Sequence, residues 1–482
     1  MNVCKDLEPK KVFQFFEEIC GIPHGSGNTK AISDYCVAFA KERNLTYYQD
    51  EQNNVIIQKP GTSGYEDAEP IIIQGHMDMV CEKEADCDID FEKDGLRLYV
   101  DGDFLKAKGT TLGGDDGIAI AYAFALLDSE DLCHPPLEVV ITVDEEIGML
   151  GAESIDLSML KGKRLLNIDS DEEGIFLTSC AGGLRADCEI PISYVSTEGV
   201  HYELKVHGLL GGHSGTEIHK ERANAIVVSG RILKALQDEV GICVETYAGG
   251  LMDNAITREV IVSLVADAEK DTQLQEVVAK WDAILKKEYQ SSDKDITLTL
   301  TKGEQGEYQV LDNRSLLKVL LFLRNIPHGI QNMSTDIPGL VETSLNPGVL
   351  KLKEETFGLG FSIRSSVTSR KYDVTDKLCF LTEFLGGEIT ISGDYPAWEY
   401  NPESGMRDLM CETYRDLFGE EPQIQAIHAG LECGILSGKI EGLDCISFGP
   451  ANFDIHTPQE RLSISSTERV WKLIVEFLRR AK

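Results

Sequence analysis

The sequence has no long apolar segment. A helix needs a run of about 18 apolar residues to span a bilayer, and none occurs in the 482 residues of this chain. The first residues, MNVCKDLEPKKVFQFF, also lack the apolar core and the small-residue cleavage site of a secretory signal peptide. We therefore expect a soluble protein of the cytoplasm.

Cysteine pairs of the CxxC type are also missing. The 13 cysteines are an odd number, and they are scattered from Cys4 to Cys445. Without an export signal the simplest interpretation is reduced thiols, because disulfides form mainly in oxidising compartments. A structural zinc knuckle built on paired cysteines is therefore not expected.

Basic residues are scarce relative to acidic ones. Lysine and arginine number 46 against 81 aspartates and glutamates, which gives a formal net charge of −35. On average such a surface repels nucleic acid and anionic membranes. Most of these carboxylates are expected to be solvated, so the acid excess by itself does not indicate metal binding. Either a monomer or a homodimer fits the sequence.

The length and the apolar runs indicate an α/β protein with more than one domain. A chain of 482 residues is too long for one ordinary core, so two domains are the default expectation. Strand-like runs at 71–74, 137–143 and 165–168 surround a buried-looking helix at 117–127. This alternation predicts a mostly parallel sheet flanked by helices. The end of the chain returns to this pattern with a strand-like run at 443–448.

The middle of the chain has a different order of elements. Its first part is predicted as strand, helix, strand, strand, helix and strand, which is the ferredoxin-like order. The first helix of this part is predicted at 217–238. The second part has the same order without a clear first strand. We therefore predict a lid domain of two ferredoxin-like halves at 187–395, inserted between two parts of a catalytic domain at 1–186 and 396–482.

The motif IIIQGHMDMV places His76 and Asp78 just after a buried strand. In an extended chain, residues two apart point the same way. A histidine that binds metal usually has its second ring nitrogen oriented by another group. Asp78 can do this only if the chain curls; otherwise it supports the site from beside the histidine. A lone HxD triplet is weak evidence, because core and surface uses of such residues are far commoner.

The motif GTTLGGDDGIAIAYAFALL opens a helix with glycines around Asp115 and Asp116. A glycine loop at a helix start can bind phosphate, but two adjacent carboxylates would repel it. A helix N-cap is the simpler alternative, since aspartate suits that position. One cap needs neither two acids nor three glycines. A carboxylate presented to metals from a tight loop therefore explains more of the motif.

Further polar positions follow other predicted strands. Glu145 and Glu146 come just after the strand of VVITVDEEIG. They form either a solvated turn or a pair in which one side chain binds metal and the other transfers protons. Asp169 follows another buried strand, and His456 lies between the last strand and the last helix. Ligands of open α/β sheets bind beyond the carboxyl ends of the strands. With the two motifs above, these residues supply imidazole and carboxylate ligands for two metals, which suit zinc, with manganese or cobalt as substitutes.

In this order, the motifs GHMD, LGGDDG, DEEIGMLGA, NIDSDEEG and FGPANFDIHTP resemble those of metallopeptidase family M20, over essentially the whole chain. The branch that they resemble most is that of the aminoacyl-histidine dipeptidases, also called Xaa-His or cytosolic non-specific dipeptidases. The resemblance implies a two-zinc enzyme that hydrolyses unblocked dipeptides, with Xaa-His dipeptides such as β-Ala-His among them. An M20 activity on tripeptides or N-acyl amino acids is an alternative. So is a metal-binding protein without activity.

The resemblance also implies which residues bind the two zinc ions. His76 and Asp169 would bind one ion. Glu146 and His456 would bind the other, and Asp115 would bridge the two.

The same resemblance implies three catalytic side chains. Asp78 orients the first ligand, Glu145 acts as general base and then as acid, and His213, in GLLGGHSG, reaches the scissile carbonyl. By spacing alone His213 is better interpreted as a histidine on the lid surface, and only the resemblance reverses this. The resemblance further implies a cis peptide bond between Asp115 and Asp116.

Four more residues are implied to contact the substrate. Arg364, in FSIRSS, resembles the arginine that holds the substrate carboxylate, and Asn254, in GGLMDNAI, adds a polar contact. His428 and Gly430, in HAGLECG, resemble further pocket residues. An enzyme that recognises both ends of its substrate is limited to dipeptides.

Overall fold

The computed structural model describes residues 3–482, and the chain divides into two compact units. The first unit comprises residues 3–180, Tyr400–Ala426 and Leu431–Lys482. None of the 13 cysteines, all of which lie within the described residues, forms a disulfide. Within the described residues, no helix is both long and apolar enough to cross a membrane.

Helices and strands alternate along much of the chain. In chain order the α-helices are α1 (Lys10–Cys20), α2 (Lys30–Glu42), α3 (Gly114–Asp128), α4 (Leu150–Ser154), α5 (Ala225–Glu239), α6 (Asp271–Glu288), α7 (Asn313–Asn325), α8 (Thr368–Phe384), α9 (Gly405–Phe418), α10 (Glu432–Lys439) and α11 (Ile464–Arg480). The strands are β1 (Thr46–Gln49), β2 (Val55–Lys59), β3 (Ile71–His76), β4 (Leu98–Asp101), β5 (Phe104–Ala107), β6 (Leu137–Thr142), β7 (Arg164–Asn167), β8 (Ile175–Cys180), β9 (Gly182–Pro191), β10 (Tyr194–His207), β11 (Gly212–His213), β12 (Cys243–Gly249), β13 (Ala255–Ile256), β14 (Val260–Ala266), β15 (Thr297–Leu311), β16 (Gly329–Met333), β17 (Val341–Leu352), β18 (Thr356–Ser365), β19 (Glu388–Tyr395), β20 (Gln423–Ile427), β21 (Asp444–Ser447), β22 (Asn452–Phe453) and β23 (Arg461–Ser463).

The first unit is built around an eight-stranded sheet in the order β1-β2-β6-β3-β7-β21-β8-β20. Its central strands β6, β3, β7 and β21 are parallel, while β1, β2 and β8 pair antiparallel toward the edges. Every residue of β3 and β6 is buried, as expected for strands covered on both faces. Helix α3 is buried along nearly its whole length, which explains its continuous apolar sequence. The predicted α/β fold with a parallel core is confirmed.

The parallel strands deliver the loops of interest to one edge of this sheet. Strand β3 ends at His76, β6 at Thr142 and β7 at Asn167, and neighbouring residues of these strands are in register. The chain segments that follow them therefore emerge side by side. A smaller sheet, in the order β22-β23-β5-β4, fixes the segment between β21 and α11.

The second unit, Ala181–Glu399 with Ile427–Gly430, contains one nine-stranded sheet. One half has the order β15-β10-β14-β12, which is the ferredoxin-like order when the strands are counted along the chain. The other half, β17-β18-β9-β19, has the same order in mirror sequence, with β9 as its first strand. Strand β9 comes before all strands of the first half in the chain. The strand directly before α7 is β15, which belongs to the first half, so the sequence shows no separate first strand for the second half. Strands β12 and β17 pair antiparallel and join the halves.

One predicted helix boundary in this unit is wrong. The helix predicted at 217–238 begins only at Ala225, because the side chain of Asn224 accepts a hydrogen bond from Ile226 N and caps the helix there. The preceding residues form a 3₁₀ turn at Ile218–Lys220.

Candidate metal centre

His76 is fully buried at the end of β3. The chain curls after it, so that Nδ1 lies 3.0 Å from the backbone oxygen of Asp78 and 3.4 Å from Oδ1 of the same residue. In the neutral ring the proton therefore belongs on Nδ1, which leaves the lone pair of Nε2 for a ligand. That Nε2 lies 3.1 Å from Asp115 Oδ1 and 3.7 Å from Asp169 Oδ1. Asp78 thus orients a histidine that faces two carboxylates.

Asp115 is the carboxylate with two histidine neighbours. Its Oδ1 lies 3.1 Å from Nε2 of His76, and its Oδ2 lies 3.1 Å from Nε2 of His456. Burial acts to raise the pKa of Asp115, but the two histidines outweigh it and hold the pKa below its usual range. The peptide bond to Asp116 is cis, as the family resemblance implies. Asp115 therefore presents one carboxylate oxygen to each of two histidines.

His456 and Glu146 complete the second group of ligand atoms. Nε2 of His456 lies 3.0 Å from Oε1 of Glu146, and the ligand atoms of these two residues and Asp115 all lie within 4.8 Å of one another. Hydrogen bonds to Asp115 and Glu146 raise the pKa of His456 to about 10. Next to His76, burial raises the pKa of Asp169 to about 6.

Among residues 3–482, no lysine or arginine forms an ion pair with the carboxylates of this cluster. In the described part of the chain, the ion pairs of Asp115, Asp169 and Glu146 are all with His76 or His456. Three carboxylates share two histidines, so even protonated rings leave the cluster with excess negative charge, which is costly to bury. Divalent metal ions would supply that charge, and mixed imidazole and carboxylate donors suit zinc, cobalt or manganese. The donor set therefore fits a two-metal centre.

Asp78 also fixes the backbone of the adjacent glutamates. Its Oδ1 accepts a hydrogen bond from Glu145 N at 3.0 Å, and its Oδ2 accepts from Glu146 N at 3.4 Å and from Ser26 Oγ at 2.8 Å. The two side chains diverge: Glu146 reaches His456, whereas the Glu145 carboxylate forms no hydrogen bond with another described residue. Burial raises the pKa of Glu145 well above its usual value. Glu145 is therefore a carboxylate beside the ligands that is not itself tied to a histidine.

Three buried acids near the cluster receive no role in the sequence analysis. Asp116 Oδ2 accepts a hydrogen bond from the backbone N of His76 at 3.2 Å, and burial raises the pKa of this aspartate well above its usual value. Glu432 accepts from Thr142 Oγ1 at 2.7 Å, and burial raises its pKa to about 7. Glu460 accepts hydrogen bonds from backbone N–H groups at the start of α3 and just before it. Each lies in or next to a motif already singled out, and that position is the signal that could have identified it.

In the second unit, His213, Arg364 and His428 converge on Gly215. A Cβ atom at Gly215 would lie 2.6 Å from the carbonyl oxygen of His428, 3.0 Å from Cε1 of His213 and 3.1 Å from Nε of Arg364, so the position has no room for a side chain. Burial and then the charge of Arg364 lower the pKa of both histidines, that of His428 to about 3. Both rings are therefore neutral at neutral pH.

The ring of His213 has a defined tautomer. Its Nδ1 accepts hydrogen bonds from the backbone N of Gly215 at 3.3 Å and of Thr216 at 3.1 Å. In a neutral ring whose Nδ1 is an acceptor, the proton lies on Nε2. His213 therefore presents an N–H donor at Nε2.

Arg364 has donor groups to spare. Its Nη1 donates to Tyr395 Oη at 3.1 Å, while its buried Nε has no partner among the described residues. Asn254 joins the same region through its backbone, since its oxygen accepts a hydrogen bond from Ser214 N at 2.8 Å. Gly430 is partly exposed at the end of a short segment of this unit.

Comparison with known proteins points to one family. The sequence model of Peptidase family M20/M25/M40 matches residues 72–480. Over 481 residues, 99% of each chain, this chain is 36% identical to cytosol non-specific dipeptidase of Escherichia coli (strain K12). It is also 36% identical to aminoacylhistidine dipeptidase from Vibrio alginolyticus, whose crystal structure matches with a TM-score of 0.93 over 99% of this chain and 97% of that one. Aminopeptidase PepT from Bacillus cereus ATCC 10987, 13% identical with a TM-score of 0.57 over 98% of this chain and 99% of that one, shares the fold alone.

Proposed function

Since this chain belongs to Peptidase family M20/M25/M40, we propose that it is a two-zinc dipeptidase that hydrolyses unblocked dipeptides. Its substrates include Xaa-His dipeptides such as β-Ala-His, in keeping with the name of the Vibrio alginolyticus relative, and the name of the Escherichia coli relative supports dipeptides in general. The observation that carries the proposal is the Asp115 carboxylate, whose two oxygens each lie 3.1 Å from a different histidine. The name of the first relative also supports a cytoplasmic location, and the surface charge argues against nucleic acid as a partner.

The metal ligands of the proposal are the residues that the cluster brings together. His76 and Asp169 would hold one ion, Glu146 and His456 the other, and Asp115 would be shared. Zinc suits these donors, and cobalt or manganese could replace it. When bound, such ions act as Lewis acids that lower the pKa of a water molecule and polarise the scissile carbonyl.

Glu145 is proposed to transfer the protons. Its carboxylate lies beside the ligand atoms but is hydrogen-bonded to none of the described residues, so it is free to accept a proton from the attacking water. It can then return that proton to the leaving amine, which makes it a general base and afterwards a general acid. Asp78 supports both functions of this region, because it orients His76 and holds the backbone N–H of Glu145.

His213 is proposed to stabilise the negative charge on the carbonyl oxygen. The hydrogen bonds at its Nδ1 fix the proton on Nε2, and its lowered pKa keeps the ring neutral. A neutral imidazole with Nε2–H is a donor to a developing oxyanion, an interaction that strengthens as charge develops.

Arg364 is proposed to bind the free carboxylate of the substrate. Its Nε has no partner among the described residues, and a guanidinium can hold a carboxylate with two parallel hydrogen bonds. Asn254, His428 and Gly430 are proposed as further contacts of the same substrate. Recognition of the free carboxylate favours peptides whose carboxyl end is unblocked.

A substrate panel tests this function. The full-length chain loaded with zinc should hydrolyse dipeptides, β-Ala-His among them, and should lose activity when a chelator removes the metal. Tripeptides and N-acetyl amino acids serve as the comparison. Preferred cleavage of tripeptides or of N-acetyl amino acids would assign a different activity within the family, and no turnover of any of them would contradict catalysis altogether.

A further inference from the structure

Glu460 is the carboxylate that holds the loop of the proposed bridging ligand. We propose that Glu460 is a positioning residue of the metal centre, because it fixes the backbone of loop 112–115 and so aims the Asp115 carboxylate at both metal ions. This inference rests on the proposed function. Glu460 itself faces neither histidine, and it acts through the loop rather than on a substrate.

The contacts of Glu460 are dense. The side chain is 2% exposed, and its two oxygens accept hydrogen bonds from four consecutive backbone N–H groups. These donors are N of Leu112 at 2.6 Å and of Gly113 at 3.1 Å to Oε2, and N of Gly114 at 2.9 Å and of Asp115 at 3.4 Å to Oε1.

Two of these donors, N of Gly114 and of Asp115, lie at the start of α3, and the other two, N of Leu112 and of Gly113, lie just before it. The first N–H groups of a helix have no partner within the helix, and the positive end of its dipole favours a negative charge there. Glu460 supplies that charge from a distant part of the sequence. Both of its oxygens act as acceptors, and a carboxylate offers acceptors only.

Asn452 completes the arrangement. Its Nδ2 donates to Glu460 Oε1 at 3.0 Å, and a Cβ atom at Gly114 would lie only 2.8 Å from that same Nδ2. Glu460 is also tied to the turn after His456, because its backbone N donates to Thr457 O at 3.1 Å. The segment that carries one histidine of the cluster therefore also holds the loop of the bridging carboxylate.

This arrangement predicts how a change at Glu460 affects metal binding. Loss of the carboxylate would leave four N–H groups without their acceptor, and the loop would no longer hold Asp115 at 3.1 Å from both histidines. Outer partners of metal ligands typically contribute about 10–100-fold to metal affinity. Because Asp115 faces both histidines, both ions should bind more weakly. Loss of a terminal ligand such as His456 should instead weaken mainly one.

The chain offers a matched control in Glu138. This glutamate is 4% exposed and accepts hydrogen bonds from the backbone N of Lys161 at 3.1 Å and of Gly162 at 2.9 Å, as well as from Gln58 Nε2 at 3.2 Å. It stands near the start of β6, whereas Glu145 follows the end of that strand. Replacing Glu138 therefore removes a similar buried acceptor far along the strand from the metal ligands.

The test uses the full-length chain and the variants Glu460→Gln, Glu138→Gln and Asn452→Ala. Glutamine keeps the shape of glutamate but turns one acceptor oxygen into a donor that faces backbone N–H groups. Metal-free protein is titrated with Zn²⁺ against a chromophoric chelator, the absorption spectrum of the Co²⁺ form is recorded, and unfolding in urea measures stability. We expect Glu460→Gln to bind both zinc ions about 10–100-fold more weakly and to change the cobalt spectrum. Glu138→Gln should lose stability without either effect.

Asn452→Ala leaves all four backbone N–H groups hydrogen-bonded to Glu460. This variant should therefore weaken zinc binding less than Glu460→Gln does. A folded Glu460→Gln variant with wild-type zinc affinity and cobalt spectrum would overturn the inference and leave the metal centre standing. If Glu460→Gln does not fold, unchanged zinc affinity in Asn452→Ala would overturn it. Equal losses of zinc affinity in Glu460→Gln and Glu138→Gln would also overturn it, since they would indicate general destabilisation. A wild-type chain that takes up no zinc would contradict the proposed function as well.

Discussion

The adjacent residues Glu145 and Glu146 allow proton transfer to be separated from metal binding. Both backbone N–H groups are held by Asp78, so a substitution in either side chain leaves the same backbone support. Their carboxylates differ in surroundings: Oε1 of Glu146 lies 3.0 Å from Nε2 of His456, whereas that of Glu145 is hydrogen-bonded to no described residue. The variants Glu145→Gln and Glu146→Gln can therefore serve as matched controls for each other.

Glu145→Gln should retain both metal ions and lose most of the turnover. Glutamine has the shape of glutamate but cannot accept the proton of the attacking water. General base catalysis contributes about 10²–10⁴ in rate, and each factor of ten corresponds to about 1.4 kcal/mol of barrier. We therefore expect kcat to fall by at least about 100-fold, an increase in the barrier of about 3–5 kcal/mol. KM should change little, because the shape of the site is kept.

Glu146→Gln should mainly weaken one metal ion. The substitution removes a negative charge from the group that also contains His456 and Asp115. Metal content is measured after dialysis, and kcat and KM are measured with a good dipeptide substrate at low and at excess zinc. We expect less than the full metal content after dialysis and partial recovery of activity in excess zinc.

Metal retention decides between the two assignments. If Glu145→Gln loses an ion while Glu146→Gln keeps both, the two roles are reversed. If neither variant loses metal and both keep wild-type turnover, the glutamate pair is not part of the catalytic centre, and the reasoning from the geometry fails.

Three further predictions concern the second unit. Arg364→Lys should raise KM strongly for free dipeptides and little for dipeptide amides, because lysine cannot reproduce the two-pronged grip on a carboxylate; equal effects on both substrates would refute the role. His213→Ala should lower kcat by about 100–1,000-fold, as expected for loss of one oxyanion donor, with little change in metal content; unchanged kcat would exclude the role. His428 has a pKa of about 3 in the folded chain, compared with 6.5 for an ordinary histidine. Between pH 3 and pH 6.5 this histidine is therefore protonated only in the unfolded chain, and the folded state loses stability as the pH falls from 6.5 toward 3. In urea unfolding, His428→Gln should lose less stability than the wild type over that range, and an identical pH dependence would contradict the buried neutral ring.

Local sequence is informative about the metal cluster because its geometry follows from strand ends. Residues that directly follow neighbouring parallel strands must emerge at one edge of the sheet, and fully apolar runs identify those strands. His76 and Asp169 are placed in this way. Asp115 is marked by the glycines around it, and the cis bond and the histidines on either side follow the family pattern.

The remaining features depend on partners far apart in the chain. Strand β9 belongs to the half whose other strands lie more than a hundred residues later, so no local periodicity could assign it. The start of α5 is set by the cap at Asn224. The spacing of the few apolar residues before this cap also fits the longer helix predicted at 217–238. Glu460 lies next to the motif FGPANFDIHTP, but it is more than three hundred residues from the loop that it holds, and nothing in the spacing of either segment links the two.

The acids of the first unit are alike in type, and the functions that we propose for them differ because each carboxylate faces a different group. Asp115 and Glu146 face imidazole nitrogens and are therefore suited to metal ions. Glu460 faces backbone N–H groups, and Asp78 faces them together with a ring nitrogen, so both hold loops in place. The Glu145 carboxylate lies within 4.8 Å of a His76 nitrogen but is hydrogen-bonded to none of the described residues, and a carboxylate without a fixed partner is the one that we propose as the base. In a chain with 81 acidic residues, the number of acids therefore says little about chemistry, whereas the donors around each one separate ligand, support and base.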